Sequence, residues 1–210
     1  MGYALLNVPG ASRTSDAFRQ AFGAMVDVHG WDGDAIAAVI SNESGFNPAA
    51  MNPLPGQSAV GLLQFIRSTL AALGWLGTRE QFAALSDVQQ LPFVERYYLH
   101  AVGPGAHRPV DYYLATWGAP PGLPDDHILA AAGSVVYELN KSLDTNRDGV
   151  ITVADLGAVV DAKIRRAGGA RLGAGKAPPE MLRSPSSRSS YSSRPSPSGA
   201  RARAHAGANR

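Results

Sequence analysis

Glu43 ends the run D-G-D-A-I-A-A-V-I-S-N-E, whose spacing predicts a helix. Asp32 or Asp34 can cap its start, Gly45 offers a left-handed stop and Pro48 forbids continuation. Ile36, Val39 and Ile40 precede Glu43 by seven, four and three positions, so the acid projects from the apolar face of that helix. Desolvation and the negative helix end both disfavour a carboxylate there. They raise its pKa and suit it to general acid catalysis near neutral pH. On spacing alone, a solvated boundary Glu is the commoner outcome, and the neighbouring residues decide between the two.

Those neighbours are E-S-G-F-N-P and, after a polar connection with two further prolines, G-L-L-Q-F. In this order and separation they resemble the two leading motifs of the lytic transglycosylases, the soluble-type, goose-lysozyme-like branch of the lysozyme superfamily. The wider resemblance covers residues 15 to 165 and is best to phage-borne members. It implies an all-α, lysozyme-like domain with Glu43 as the catalytic acid, Ser44 holding the Glu43 side chain, and Gln64 with Phe65 meeting sugar in the cleft. Gly61 is expected to let backbone approach Glu43 or sugar closely, with a helix over residues 65–73 after it. Q-L-P-F-V-E-R-Y looks like the Q-L-x-x-V-x-x-Y helix of the phage-type members. Where the family commonly carries A-Y-N-x-G, whose Tyr bonds the acid, this chain has D-Y-Y-L-A-T-W-G-A-P. No Tyr-Asn pair exists there. Tyr113 is the candidate substitute hydroxyl and Trp117 the candidate sugar-stacking wall, with an ordinary core or rim role as the alternative for each.

L-D-T-N-R-D-G-V-I-T-V-A-D matches an EF-hand calcium loop, with Asp144, Asn146 and Asp148 at positions one, three and five, and Gly149 at six. The Val150 carbonyl, Thr152 and Asp155 complete the ligand set, Asp155 standing where sensor loops have a longer Glu. Flanking helices are expected over residues 128–143, with Ile128, Ala131, Val135 and Leu139 inward, and over residues 153–164. One loop rather than a pair points to structural Ca2+, with Mg2+ or an Asx-rich turn that binds nothing as alternatives.

The elements that position these residues follow from caps and stripes. Ser15 or Asp16 can open a first helix with Phe18, Phe22, Met25 and Val26 on one face and Gly30 after it, and residues 86–100 read as another, with Leu91, Val94, Tyr98 and Ala101 inward. A chain of 210 residues, 45% hydrophobic, supports one domain over residues 15–167, after an N-terminal arm over residues 1–14. Zero cysteines exclude disulfides and thiolate chemistry. Eleven of the 19 Lys and Arg follow residue 162, against one of the 17 acids, so an acidic body precedes a basic end. Residues 168–210, rich in Ser, Pro, Arg and Ala, read as a disordered tail able to contact anionic glycan, lipopolysaccharide or DNA by charge, or simply as a solubilising extension. The opening M-G-Y-A-L-L-N-V-P-G lacks a signal-peptide pattern, and no apolar run is long enough to span a bilayer.

Ordinary glycosidases need two carboxylates, yet no Asp or Glu lies between Glu43 and Glu80. The resemblance implies peptidoglycan as partner. It also implies cleavage of the MurNAc-GlcNAc β-1,4 bond by one acid, with the muramyl 6-hydroxyl as nucleophile and a 1,6-anhydro product. A muramidase using water, or a glycan-gripping component of a virion or secretion apparatus, stays open. Carriage in a tailed-phage virion beside tail proteins is the expected setting, with specialised secretion as runner-up.

Overall fold

The computed structural model describes residues 8–51 and 59–166, and in them the capping signals act locally. Ser15 Oγ accepts from the Phe18 N–H at 3.0 Å and opens α1 (Asp16–His29), which buries Phe18, Phe22, Met25 and Val26 and ends at Gly30, φ 68°. Asp32, not Asp34, caps α2 (Gly33–Glu43), its Oδ1 accepting from Ala35 N–H at 3.0 Å. Every residue from Ala35 to Ile40 is buried, so α2 is the central rod of the domain rather than a half-exposed amphipathic helix.

Residues 8–14, read as part of an arm, pack onto this rod. Val8 and Ala11 are in the core, and Ser41 Oγ donates to the Pro9 carbonyl at 2.7 Å. Gly10, at φ 90°, lies so close that a Cβ there would meet the Gly45 carbonyl oxygen at 2.4 Å.

Three helices follow: α3 (Arg67–Ala72), α4 (Arg79–Ala83) and α5 (Asp87–Ala101). Capping boxes, Thr78 with Gln81 and Ser86 with Gln89, start the last two. As expected, α5 turns Leu91, Val94 and Tyr98 into the core and accommodates Pro92 near its start. Pro109 opens α6 (Pro109–Thr116), where the buried Asp111 accepts from Arg108 Nη2 at 3.1 Å and from Gly122 N–H at 2.9 Å.

Beyond α6 the architecture departs from expectation. Residues 128–143 are not one helix but β1 (Ile128–Ala131), α7 (Val135–Asn140) and a single 3-10 turn at Lys141–Leu143. Gly133 at φ 87° breaks any continuous helix, and Ser134 Oγ, accepting from Tyr137 N–H at 3.1 Å, starts a new one. β1 pairs antiparallel with β2 (Val150–Thr152), Ala130 opposite Ile151 and Ala131 opposite Val150. A strand needs a partner for its backbone groups, and the loop's own strand recruits residues 128–131 for that purpose. The inward face expected for this segment is therefore turned outward: Ile128, Val135 and Leu139 are 56%, 65% and 64% exposed, and Ala131 is exposed too.

The final helix α8 (Val153–Arg166) buries Val153, Leu156 and Val160 and, with α1 and α6, packs around α2. The described body is all-α apart from this two-stranded ribbon. Among the described residues no helix is long and apolar enough to cross a membrane. The basic tail lies outside the described residues.

Candidate active site

Glu43 is the last residue of α2, on the same side as the buried Ile36, Val39 and Ile40. Part of its surface reaches solvent, yet burial alone pushes its carboxyl from an ordinary 4.5 up to about 7. Neither a second carboxylate nor a compensating hydrogen bond contributes to that shift. A carboxyl raised into the neutral range can hold a proton there, the condition a general acid needs.

Three phenols feel its charge. Burial, then Glu43, pushes Tyr97 of α5 up to about 12. Burial and then Glu43 likewise raise Tyr113 of α6, against a smaller lowering by Asn42. Tyr98 is also raised, by burial first, then by Tyr97 and Glu43. All three stay protonated, and none of them contributes a hydrogen bond to the Glu43 carboxyl. Tyr113, read as the substitute hydroxyl, is buried, and its oxygen accepts from Asn42 Nδ2. Tyr97 was missed by sequence reasoning. Its hydroxyl donates to the Ala115 carbonyl at 2.5 Å, tying α5 to α6. The available signal was the doublet Tyr97-Tyr98: consecutive helical residues diverge by about 100°, so only one can face the core centre while the other looks sideways.

The G-L-L-Q-F segment behaves differently from the reading above. Val60 and Phe65 exchange backbone hydrogen bonds at 3.1 and 2.9 Å, closing a turn in which Gln64 has φ 49°. Gln64 Nε2 donates to the Gly61 and Ala50 carbonyls at 3.0 and 3.2 Å, so its amide braces this turn. Phe65 is buried, edge-on to Tyr97 at 5.4 Å and to Phe82 at 6.1 Å, and is therefore core rather than a sugar contact; the helix starts two residues later, at Arg67.

Gly61, at φ 81°, makes its close approach to Gln90 Oε1 and Phe82, which an added Cβ would meet at 2.6 and 2.7 Å, not to Glu43. Ser44 does not hold the Glu43 side chain. Its hydroxyl donates to the Leu62 carbonyl at 2.9 Å and the Ile40 carbonyl at 3.3 Å, fastening the end of α2 to the turn.

Gln90 is the residue beneath this arrangement that the sequence did not advertise. Fully buried, it accepts from Leu62 N–H at 2.9 Å and donates to the Pro48 and Phe82 carbonyls at 2.8 and 3.1 Å. One side chain thus joins the chain after Glu43, the turn and α4. Trp117, the candidate stacking wall, is the half-buried C-cap of α6, one turn beyond Tyr113 and packed against the core.

The Asx-rich loop lies on β2 and the start of α8. Asp144 accepts from the N–H groups of Arg147, Asp148 and Gly149 at 2.7, 3.2 and 3.0 Å, and from the Tyr137 hydroxyl at 2.7 Å. Asn146 Nδ2 donates to Asp148 at 2.8 Å, and the Val150 N–H donates to Asp148 at 3.0 Å. Asp155 and Thr152 cap α8 reciprocally: Asp155 takes the N–H and hydroxyl of Thr152 at 2.9 and 2.6 Å, and those of Thr145 at 3.0 and 2.5 Å. Among the described residues no three His, Cys, Asp or Glu side chains gather as a metal cluster. The loop's remaining donors, Asn146, Thr152 and the Val150 carbonyl, are oxygens that suit a hard cation.

A central buried helix ending in one acid, with phenols on two flanking helices, is the arrangement of a lysozyme-like all-α domain. Residues 22–90 match the family model described as the Transglycosylase SLT domain, which takes in α1 from Phe22, α2, the G-L-L-Q-F turn, α3, α4 and α5 as far as Gln90. Residues 22–90 are therefore similar to a family whose members are peptidoglycan-cleaving lytic transglycosylases, and Tyr113, Trp117 and the Asx-rich loop lie past the matched segment. Among curated proteins, none matches the chain.

Proposed function

We propose that the chain cleaves the β-1,4 bond between N-acetylmuramic acid and N-acetylglucosamine with Glu43 as the sole acid and base. The observation that carries this reading is a carboxyl raised to about 7 by burial with no second carboxylate contributing. Protonated Glu43 gives its proton to the glycosidic oxygen as the bond to the muramyl anomeric carbon breaks, and the N-acetyl oxygen assists at that carbon. The carboxylate then takes the proton of the muramyl 6-hydroxyl, whose oxygen closes on the anomeric carbon and displaces the acetamido oxygen. Glu43 ends as it began, and the product is a 1,6-anhydro sugar.

The test is digestion of purified peptidoglycan by wild type and Glu43→Gln, with mass spectrometry of the released ends. The reading expects soluble muropeptides from wild type alone, each lacking one water relative to a hydrolytic product. A hydrated end makes the same site a muramidase. If both proteins pellet with sacculi and neither releases fragments, the chain is a glycan-binding component instead.

A structural Ca2+ in the 144–155 loop belongs to the same reading. Asp144, Asn146, Asp148, the Val150 carbonyl, Thr152 and Asp155 would hold it, and position twelve would exchange a threonine contact for the ion. A melting temperature unmoved by millimolar Ca2+ would remove it. Carriage in a phage virion, with action at the host wall, rests on the phage-type likeness of the α5 segment. The basic tail supports a salt-sensitive contact with anionic glycan, lipopolysaccharide or DNA.

A further inference from the structure

The Tyr-Asn couple missing from the order of residues is rebuilt in space. Tyr113 on α6 and Asn42 on α2 are 71 positions apart, yet the Asn42 amide donates to the Tyr113 hydroxyl oxygen. A phenol has one proton of its own besides its acceptor lone pairs, so an oxygen that already accepts is left with its O–H to give. Among the described residues no acceptor takes that proton, whereas the Tyr97 proton is committed to the Ala115 carbonyl. The third phenol, Tyr98, also lacks a hydrogen-bond partner, but its ring is turned into the core, edge-on to Tyr112 at 5.6 Å and Trp31 at 6.0 Å. Asn42 directly precedes Glu43 in the last turn of α2, and its side chain is exposed, so the core does not require its amide.

We infer that Asn42 is a positioning residue acting through Tyr113: its amide pins the phenol oxygen so that the O–H is presented to Glu43 once that carboxyl has given up its proton. No bond to Tyr113 breaks. The phenol donates a hydrogen bond to the new carboxylate and withdraws it when Glu43 regains a proton from the sugar 6-hydroxyl. The buried, fully protonated state of Tyr113 is what such a donor requires. This inference rests on the reading of Glu43 as the acid.

The experiment compares the full chain with Asn42→Leu, Asn42→Ser, Tyr113→Phe and the Asn42→Leu/Tyr113→Phe double variant. Rates on purified sacculi are followed across pH, with circular dichroism to verify the fold. Each single variant is expected to lower kcat about tenfold with KM within about twofold, and to move the alkaline limb of the pH profile upward by about half a unit, since ionised Glu43 has lost a donor. In the Tyr113→Phe background, Asn42→Leu should change kcat by less than about twofold, because residues acting as one unit are not additive.

The inference is overturned if Asn42→Leu slows the Tyr113→Phe protein by a further tenfold, or if the alkaline limb stays where wild type has it. Should Asn42→Leu fail to fold, Asn42→Ser carries the same comparisons. Activity retained in Glu43→Gln would remove the catalytic reading itself. An inert Glu43→Gln beside unaltered Asn42 variants would remove only this inference.

Discussion

Glu43 and Asp155 are both carboxyls at helix ends shielded from water, yet they are driven in opposite directions. At Glu43 burial acts unopposed and the carboxyl rises to about 7. At Asp155 burial is again the largest influence and raises the group, but the hydrogen bonds from Thr145 and Thr152 together hold it below the usual carboxylate range. Asp144 is also held low, by the Tyr137 hydroxyl first. Burial therefore does not set the chemistry of an acid by itself; the supply of donors does. The helix direction acts alongside, since Glu43 sits at the negative end of α2 and Asp155 in the first turn of α8. An acid that must surrender a proton is left short of donors, and an acid that orders a loop is saturated with them.

The largest effect that would break this contrast is on activity. Glu43→Gln should lower release of soluble muropeptides by about 10²- to 10⁴-fold, the range for a lost general acid. In wild type the rate should fall as pH rises past about 7, where Glu43 loses its proton. A turbidity assay on sacculi in buffers of constant ionic strength reads both, and undiminished digestion by the variant would leave Glu43 an ordinary buried acid.

Next is Gln90→Ala, which strands the Leu62 N–H and the Pro48 carbonyl beneath the site, while the Phe82 carbonyl keeps the Leu85 N–H at 3.1 Å. With two groups left unsatisfied, the expected cost is about 2–4 kcal/mol in urea unfolding. A loss below about 1 kcal/mol would mean that water replaces the amide freely.

Asp155→Ala should cost about 2–3 kcal/mol by the same measurement, through the lost cap on α8 and the unpaired Thr145 and Thr152 N–H groups. A change near zero would show that this carboxylate does not order the loop.

The smallest effect sharpens the comparison most. The Glu43 carboxyl titrates near 4.5 when unfolded and about 7 when folded. Between those values the folded state holds more protons, so this group's contribution to stability falls as pH rises and levels off above 7. Glu43→Gln removes that cost, and its gain over wild type should grow from near zero below pH 4.5 to about 1–3 kcal/mol at pH 8. Thermal melts of both proteins at several pH values would reveal it, and a pH-independent difference would contradict a desolvated carboxyl.

Much of this protein was legible from short-range pattern because its causes are short-range. Ser15, Asp32 and Ser86 cap helices within three residues of themselves, and the stripe from Ile36 to Glu43 is a matter of helical pitch. Asp144 and Gly149 likewise shape a turn only a few residues long. Several of the misreadings concern partners far along the chain. Phe65 reads as a cleft residue until Tyr97 and Phe82 enclose it, and Gly61 reads as room for sugar until Gln90 arrives from α5. Ile128–Ala131 reads as helix until β2 offers backbone groups that must be paired.

What the sequence by itself determined is therefore the helices, their caps and the placing of one acid at the end of an apolar rod. Tertiary structure alone decided which hydroxyl meets the end of that rod, because α2 and α6 bring Asn42 and Tyr113 together across 71 positions of chain, where no local periodicity operates. The acidity of Glu43 belongs to the second category in its magnitude and to the first in its direction: helical pitch aims the carboxyl at the core, and only the packed neighbours remove the water.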